Sequence, residues 1–308
     1  LKILITGAAG YIGSHLADRL LDAGHQVVGV DCFSPYYERA TKERNAAAAL
    51  ERGMTLHEID LASAALDACC SGVELIYHCA AQPGISASTP FDDYLRNNVV
   101  ATQRLIETAL PSPDLRMFVN LGTSSIYGAD ATGPETEVPQ PTSYYGVTKL
   151  AAEQLVLAAQ RERDMPACSL RLFSVYGPRE RPEKLIPRLV RAISAQTPFP
   201  LYEGAREHMR SFTFVSDIID GLALVPDHID AVNGQILNLG STIQRSTGWV
   251  IDFVESEMGR AANVDTQPRR PGDQLATHAN IDRARELLGY APRVEPEEGL
   301  RQAIAWFS

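Results

Sequence analysis

Along the first 176 residues, short unbroken apolar runs alternate with longer stretches in which apolar residues return every three or four positions. The runs Lys2–Thr6, Gln26–Val30, Thr55–Glu58, Glu74–Cys79, Met117–Leu121 and Ala167–Phe173 predict strands. The segments Tyr11–Ala23, Tyr94–Leu110 and Tyr144–Arg163 predict helices. Strands without polar alternation are buried on both faces, as in parallel sheets. Strand and helix in strict alternation then imply an α/β, doubly wound parallel sheet. Ala46–Ala49 is only a good helix former.

Beyond Tyr176 the texture changes. Pro178, Pro182, Pro187, Pro198 and Pro200 interrupt the pattern, and apolar segments return at Phe212–Val225, Ile236–Leu239, Gly248–Met258 and Gly299–Phe307. The expected organisation is a first unit over 1–176, rejoined by segments near 212–240, and a smaller, discontinuous C-terminal substrate lobe over 177–308.

Composition narrows the function classes. The 308 residues are 45% hydrophobic and 21% charged, enough to bury a full core. A formal net charge of −10 argues against a nucleic-acid backbone as partner. No apolar run approaches the ~20 residues needed to span a bilayer. The apolar start Leu1–Ile5 is too short for a signal peptide and leads straight into glycines, and a chain that begins without Met reads as trimmed. Five cysteines (Cys32, Cys69, Cys70, Cys79, Cys168) are an odd number with no CxxC pair, which fits reduced thiols of a cytoplasmic protein. The seven histidines follow no metal-binding spacing, so no metal is expected.

The first candidate chemistry lies where the first strand meets the first helix, at Gly7-Ala8-Ala9-Gly10-Tyr11-Ile12-Gly13. Glycines there let the chain turn sharply and let backbone approach a pyrophosphate, while the helix start offers free N–H groups and the positive end of its dipole. A tight turn with no ligand would use the same residues. Asp31 ends the second strand, 18 residues after Gly13, where a carboxylate accepts from adenosine ribose hydroxyls. A 2′-phosphate would meet a like charge, which favours NAD over NADP, although Arg39, Lys42 and Arg44 follow closely. Asp60 and Leu61, after the third strand, stand where such sheets hold the adenine edge; a helix N-cap is the plainer use of Asp60.

The second candidate is Tyr145-Gly146-Val147-Thr148-Lys149, with Tyr and Lys on one helix face. A free phenol loses its proton near pH ~10, and reaching ~7 takes about 4 kcal/mol of differential stabilisation. A lysine ammonium and an oxidised nicotinamide would supply it, making Tyr145 a general base for a sugar hydroxyl. A packed aromatic with a snorkelling lysine has the same pattern. Tyr144 is the confusable neighbour, but Thr148 stands four residues after it. The strand ending at Leu121 delivers Thr123, Ser124 and Ser125 at a carboxyl end, where Thr123 could bond the same sugar hydroxyl; a turn is the alternative.

Together, Gly7, Gly10, Gly13, Asp31, Thr123, Tyr145 and Lys149 resemble the extended short-chain dehydrogenase/reductases that act on nucleotide sugars, over nearly the whole chain. The resemblance implies a Rossmann fold and an NAD site formed by Gly7, Gly10, Tyr11, Ile12, Gly13, Asp31, Phe33, Ser34, Asp60, Leu61, Ala80, Ala81, Gln82, Asn98, Tyr145 and Lys149. It also implies a UDP-sugar as substrate partner, and a homodimer formed through the helices near Tyr94–Leu110 and Tyr144–Arg163. In Arg210-Ser211-Phe212 and Arg270-Pro271-Gly272-Asp273 the family's arginines hold the substrate diphosphate, a task that suits a planar, permanent cation. Phe199-Pro200-Leu201-Tyr202 resembles the uridine-contacting strand.

Within the family, 4,6-dehydratases and decarboxylases carry an acid near Thr123-Ser124-Ser125, and this chain has none there. The hydroxyl run, Phe33-Ser34-Pro35-Tyr36-Tyr37 and Gly177-Pro178-Arg179-Glu180-Arg181-Pro182 resemble UDP-glucuronic acid 4-epimerases. The resemblance implies that the sugar carboxylate meets Arg181, with Arg179 as alternate, and with Ser174, Ser124 and Ser125 as neutral donors. Ser86 departs from the pattern by standing where those enzymes carry an arginine. Expected catalytic residues are therefore Tyr145, Lys149 and Thr123, and expected substrate contacts Ser86, Thr123, Ser124, Ser125, Tyr145, Ser174, Arg181, Tyr202, Arg210, Arg270 and Asp273. The implied chemistry is oxidation at C4, rotation of the 4-keto sugar and hydride return from the other face. UDP-glucose 4-epimerase, a decarboxylase, a reductase and a non-catalytic NAD sensor are the competing readings.

Overall fold

A computed structural model describes residues 1–86, 88–269 and 273–308. Seven strands build its central sheet: β1 (Lys2–Thr6), β2 (Gln26–Asp31), β3 (Thr55–Glu58), β4 (Leu75–His78), β5 (Met117–Thr123), β6 (Ala167–Leu172) and β7 (Ile236–Leu239). Their order is 3-2-1-4-5-6-7 and every pairing is parallel. The chain therefore reverses its direction of sheet growth between β1 and β4, and ligands of such sheets bind in the crevice outside the strand ends at that point.

Alternate residues of each strand serve opposite faces. Ile3 and Ile5 join one apolar core with Leu16, Leu20, Ile218 and Leu222, whereas Leu4, Val28, Ile76 and Phe118 join another with Leu105, Ile106 and Val156. Helix α1 (Tyr11–Asp22) packs on the first face between α2 (Arg39–Glu51) and the later helix Val215–Ala223. On the second face, the helix that ends at Ala101–Ala109 packs on the 20-residue helix Tyr144–Arg163. Helix α2 carries no apolar stripe beyond small residues. It buries Lys42, Asn45, Ala46 and Ala49, which is why periodicity missed it.

Connections between the two parts run both ways. β7 returns to the central sheet, and Thr213–Phe214 pairs with Val175–Tyr176. In the other direction Asp130–Ala131 joins a four-stranded sheet with Ala276–Thr277, Met209–Arg210 and Arg245–Ser246. Pro198–Tyr202 pairs with Asn263–Gln267 in a separate ladder. The five cysteines are unpaired. No helix among the described residues is long and apolar enough to cross a membrane.

Candidate active site

The carboxyl ends of β1, β2, β4, β5 and β6 open into one cavity of about 580 Å3, which continues under the strand Pro198–Tyr202. At its start the chain has no room for side chains. Gly7 has φ +69°, and a Cβ there would lie 2.9 Å from the Ala80 nitrogen; a Cβ on Gly13 would lie 2.2 Å from the Gly7 carbonyl oxygen. The first turn of α1 thus presses on the β1 and β4 ends, leaving its N-terminal amides at the cavity wall. The wall includes Gly7, Gly10, Tyr11, Ile12, Gly13, Asp31, Ser34, Asp60, Leu61, Ala80, Ala81 and Gln82. This cradle fits a dinucleotide pyrophosphate.

Asp31 is fixed before any ligand arrives. Its two carboxylate oxygens accept from the Ala9 and Phe33 amides at 3.1 and 2.8 Å, leaving lone pairs for ribose hydroxyls. The basic residues beside it are committed elsewhere. Arg39 donates two hydrogen bonds to Glu58, at 2.8 and 2.7 Å, and one to Glu43 at 2.7 Å. Lys42 donates to the Ser34 carbonyl at 2.7 Å. Asp60 both lines the cavity and closes its own turn, accepting from Ala62 at 2.9 Å and pairing with Arg96.

A buried polar chain braces this half. Burial and the nearby Lys149 charge push His78 down to about 3, so the ring is neutral. Thr102 donates to the Asn98 carbonyl at 2.6 Å, so it accepts from His78 Nε2–H at 2.8 Å. Nδ1 of His78 then accepts from the Thr6 hydroxyl at 2.8 Å, and Thr6 accepts from the Ala80 amide at 3.2 Å. Asn98 lies in a π-helical turn, Leu95–Val100, that widens the helix between Phe91–Tyr94 and Ala101–Ala109. Its side chain accepts from the Gln82 amide at 2.7 Å and donates to the Gln82 carbonyl and to Thr148 at 3.2 and 3.0 Å. Such turns re-aim side chains at functional sites.

Tyr145 stands at the start of the helix Tyr144–Arg163, whose first turn Ser143 caps by accepting from the Gly146 amide at 3.1 Å. Thr123 ends β5 and caps the short 3-10 turn Ser124–Tyr127, its hydroxyl oxygen accepting from the Ser125 amide at 3.2 Å. Thr123 lies beside Tyr145, where its hydroxyl favours the phenolate. Burial nevertheless pushes the Tyr145 phenol above its ordinary value, against the Thr123 bond and the Arg181 charge.

The i, i+4 spacing puts Lys149 on the face of Tyr145, but it is buried at the cavity floor, where burial lowers it to about 8 against the opposing influence of Cys79 and Glu153. Beneath Lys149, Glu153 receives Arg171 at 3.0 and 2.7 Å, and both are almost fully buried. Arg171 also donates to the Tyr127 hydroxyl at 2.7 Å.

The far end of the cavity is lined by Ser124, Ser125, Ser174, Arg181, Tyr202, Arg210 and Asp273. Gln274 ties it to β5: its amide donates to the Ser124 and Gly128 carbonyls, both at 3.1 Å. Arg210 donates to the Met209 and Gln274 carbonyls. The two arginines of the 177–182 loop point in different directions. Arg179, at φ +64°, turns back to Asp18 of α1 at 2.8 Å, while Arg181 faces the cavity.

Three expected contacts stand off the cavity wall. Phe33, at φ +47°, packs under the Arg39 guanidinium, 4.4 Å from its ring centre, while its amide serves Asp31. Asn98 is buried behind Gln82 and acts on the wall from the rear. Ser86 accepts from the Ser88 and Thr89 amides at 3.2 Å, closing its own turn, while Gly84 and Ile85 take the wall position. Arg270, with Pro271 and Gly272, lies outside the described residues. Sequence reasoning passed over Tyr36 as an individual residue and missed Glu183 and Gln274, which also line the cavity. For Tyr36 a signal existed in its place within Phe33-Ser34-Pro35-Tyr36-Tyr37; no local signal marks Gln274.

Residues 3–240 match the NAD dependent epimerase/dehydratase family, and the chain belongs to it. A Bacillus subtilis (strain 168) protein described as an uncharacterized UDP-glucose epimerase, YtcB, is 36% identical over 100% of this chain and 98% of its own length. The crystal structure of UDP-glucuronic acid 4-epimerase from Bacillus cereus, in complex with UDP-glucuronic acid and NAD, superposes with a TM-score of 0.95 at 33% identity, covering 100% of this chain and 99% of that one. MoeE5 in complex with UDP-glucuronic acid and NAD is 37% identical, with a TM-score of 0.88, over 99% and 98% of the two chains.

Proposed function

We propose that this protein is an NAD-dependent nucleotide-sugar 4-epimerase whose foremost reaction interconverts UDP-glucuronate and UDP-galacturonate. One observation carries the reading: Tyr145 with Thr123 beside it, and Arg181, line the same cavity that begins at a glycine cradle. The Bacillus cereus enzyme of that name and MoeE5, both solved with UDP-glucuronic acid and NAD, support it.

The residues fit the reaction as follows. The Gly7–Gly13 turn holds the pyrophosphate, Asp31 the adenosine ribose, and Lys149 the nicotinamide ribose. Bound there, NAD supplies the hydride acceptor and donor at C4. Tyr145 takes the O4 proton and later returns it, with Thr123 bonded to the same oxygen. Lys149 below would offset part of the burial that keeps the phenol protonated, and the positive nicotinamide of bound NAD would add to it. The 4-keto sugar turns about a diphosphate held by Arg210 and Arg270, while Tyr202 and Asp273 flank the nucleotide end. A 4-keto uronate is a β-keto acid. Charge-assisted bonds from Arg181, with Ser124, Ser125 and Ser174, hold its carboxylate so that the C5–C6 bond stays out of line with the carbonyl π system.

The absence of an acid at Ser124 and Ser125 supports epimerisation over dehydration and decarboxylation. Committed Arg39 and Lys42 support NAD over NADP. UDP-glucose is the second substrate to consider, because Arg181 is already ion-paired with Glu183 at 2.6 Å and Ser86 brings no charge. A homodimer is supported by Phe91, Leu95, Tyr144 and Val147, exposed apolar residues of two adjacent helices, and a cytoplasmic location by five unpaired thiols.

Incubation with UDP-glucuronate and no added reductant is the test. The expected product is UDP-galacturonate with no net change in NAD. Release of carbon dioxide with a UDP-pentose, or net consumption of reduced cofactor, overturns the assignment.

A further inference from the structure

Arg181 is neutralised before substrate arrives. Its guanidinium lies 2.6 Å from a carboxylate oxygen of Glu183, two residues on, and both line the sugar end of the cavity. Tyr36 covers Arg181, its ring centre 5.7 Å from the guanidinium carbon. On another side the backbone of Gly84 approaches so closely that a Cβ there would stand 3.4 Å from Arg181 Nη2. Arg181 is therefore fixed, with 13% of its side chain exposed, whereas Glu183 keeps 41% exposed and has water to withdraw into.

We propose that Glu183 is a specificity-determining residue, an internal carboxylate that competes with the sugar's own carboxylate for Arg181 and so broadens the site to take neutral UDP-hexoses beside UDP-uronates. The inference rests on the epimerase reading above.

The reasoning is electrostatic. An incoming uronate must displace Glu183 or share one cation with it. Displacement sets one ion pair against another. Sharing leaves an uncompensated negative charge in a largely enclosed place, which is costly. Either way the acid gains less from Arg181 than it would from a free guanidinium. A neutral hexose leaves the Arg181–Glu183 pair intact, and its C6 hydroxyl finds in Glu183 a charged acceptor. Ser86 adds no second cation to tip the balance back. Discrimination is set by a displaceable group of this chain rather than by the shape of the cavity.

The test uses the NAD-loaded enzyme and compares kcat/KM for UDP-glucuronate with kcat/KM for UDP-glucose. Glu183→Gln keeps the size of the side chain and removes its charge. The ratio should shift towards the acid by about fivefold, the upper range for a half-exposed ion pair, mainly through a lower KM for UDP-glucuronate. In an Arg181→Met background the same substitution should leave the ratio unchanged; Arg181→Gln serves if the Met variant does not fold. An unchanged or lowered ratio in the single variant overturns the proposal, as does an equal shift without Arg181. Wild-type enzyme that turns over neither sugar overturns the epimerase reading, and this inference with it. Turnover of both with no response to Glu183→Gln overturns this inference alone.

Discussion

The two ends of the cavity are built on opposite plans. At the cofactor end the chain pairs Asp31 with two amides, Asn98 with Gln82 and Thr148, and His78 with two threonines, and leaves only Gln82 Nε2 and the Tyr11 hydroxyl of its described cavity-lining side chains buried without a hydrogen-bond partner. At the sugar end, loops hold groups in tension. Ser174 and Arg179 take positive φ without being glycine, Glu180 is buried with one carboxyl oxygen unpartnered, and Arg181 leans on a carboxylate that can leave. The first end hangs from parallel strands, whose carboxyl ends arrive in a fixed geometry. The second hangs from the Pro-rich connection after β6. A rigid half suits a ligand that stays, and an adjustable half suits a sugar that must turn over.

The sharpest way to break this contrast is at the junction. Tyr145→Phe removes only the hydroxyl bonded to Thr123, so kcat should fall by about 10²–10⁴-fold with little change in melting temperature or in NAD binding. Activity within tenfold of wild type would remove Tyr145 from proton transfer.

Next in size is the buried support below the rigid end. Glu153→Ala leaves Arg171 charged and without its partner, and should destabilise the fold by about 3–5 kcal/mol, read from urea unfolding. A loss under 1 kcal/mol would mean that the cofactor end does not depend on its pre-formed pairs.

The smallest effect concerns the adjustable end. Burial raises Glu180 to about 8, against the pull of Lys184 and Arg181. A carboxyl whose folded value is raised gives stability that is full below its unfolded value, near ~4.3, and lost as pH rises through about 8. Glu180→Gln stays neutral and escapes that loss. Variant and wild type should match near pH 4, and the variant should become the more stable by more than about 1.4 kcal/mol by pH 9, the equivalent of one unit. Parallel stability curves would show Glu180 ionised throughout.

The same division decides what could be read in advance. Strands β1 to β6 and the helix Tyr144–Arg163 were legible because apolar runs and 3.6-residue periodicity are direct records of burial; β7 was legible only as a returning apolar segment. The glycine turn and Asp31 were legible because their spacing is dictated by backbone geometry. Helix α2 was not, since its buried positions are alanines, an asparagine and a lysine. The role of Asn98 was half visible: the residue was singled out, but the π turn that sends its side chain behind Gln82 is a matter of helix packing. Ser86 was singled out for its place in the motif, but that its hydroxyl accepts from the Ser88 and Thr89 amides was not legible.

By itself, then, the sequence determined the layers of the fold, the pyrophosphate cradle, and which tyrosine lies one helical turn from a lysine, because local periodicity and spacing encode all of these. Only the tertiary structure decided that Thr123 comes beside that tyrosine, that Arg179 turns to Asp18 while Arg181 lines the cavity, and that Glu183 pairs with Arg181. Those outcomes depend on which loops meet across the cavity and on how much water each charge retains, and neither is written in any short stretch of chain.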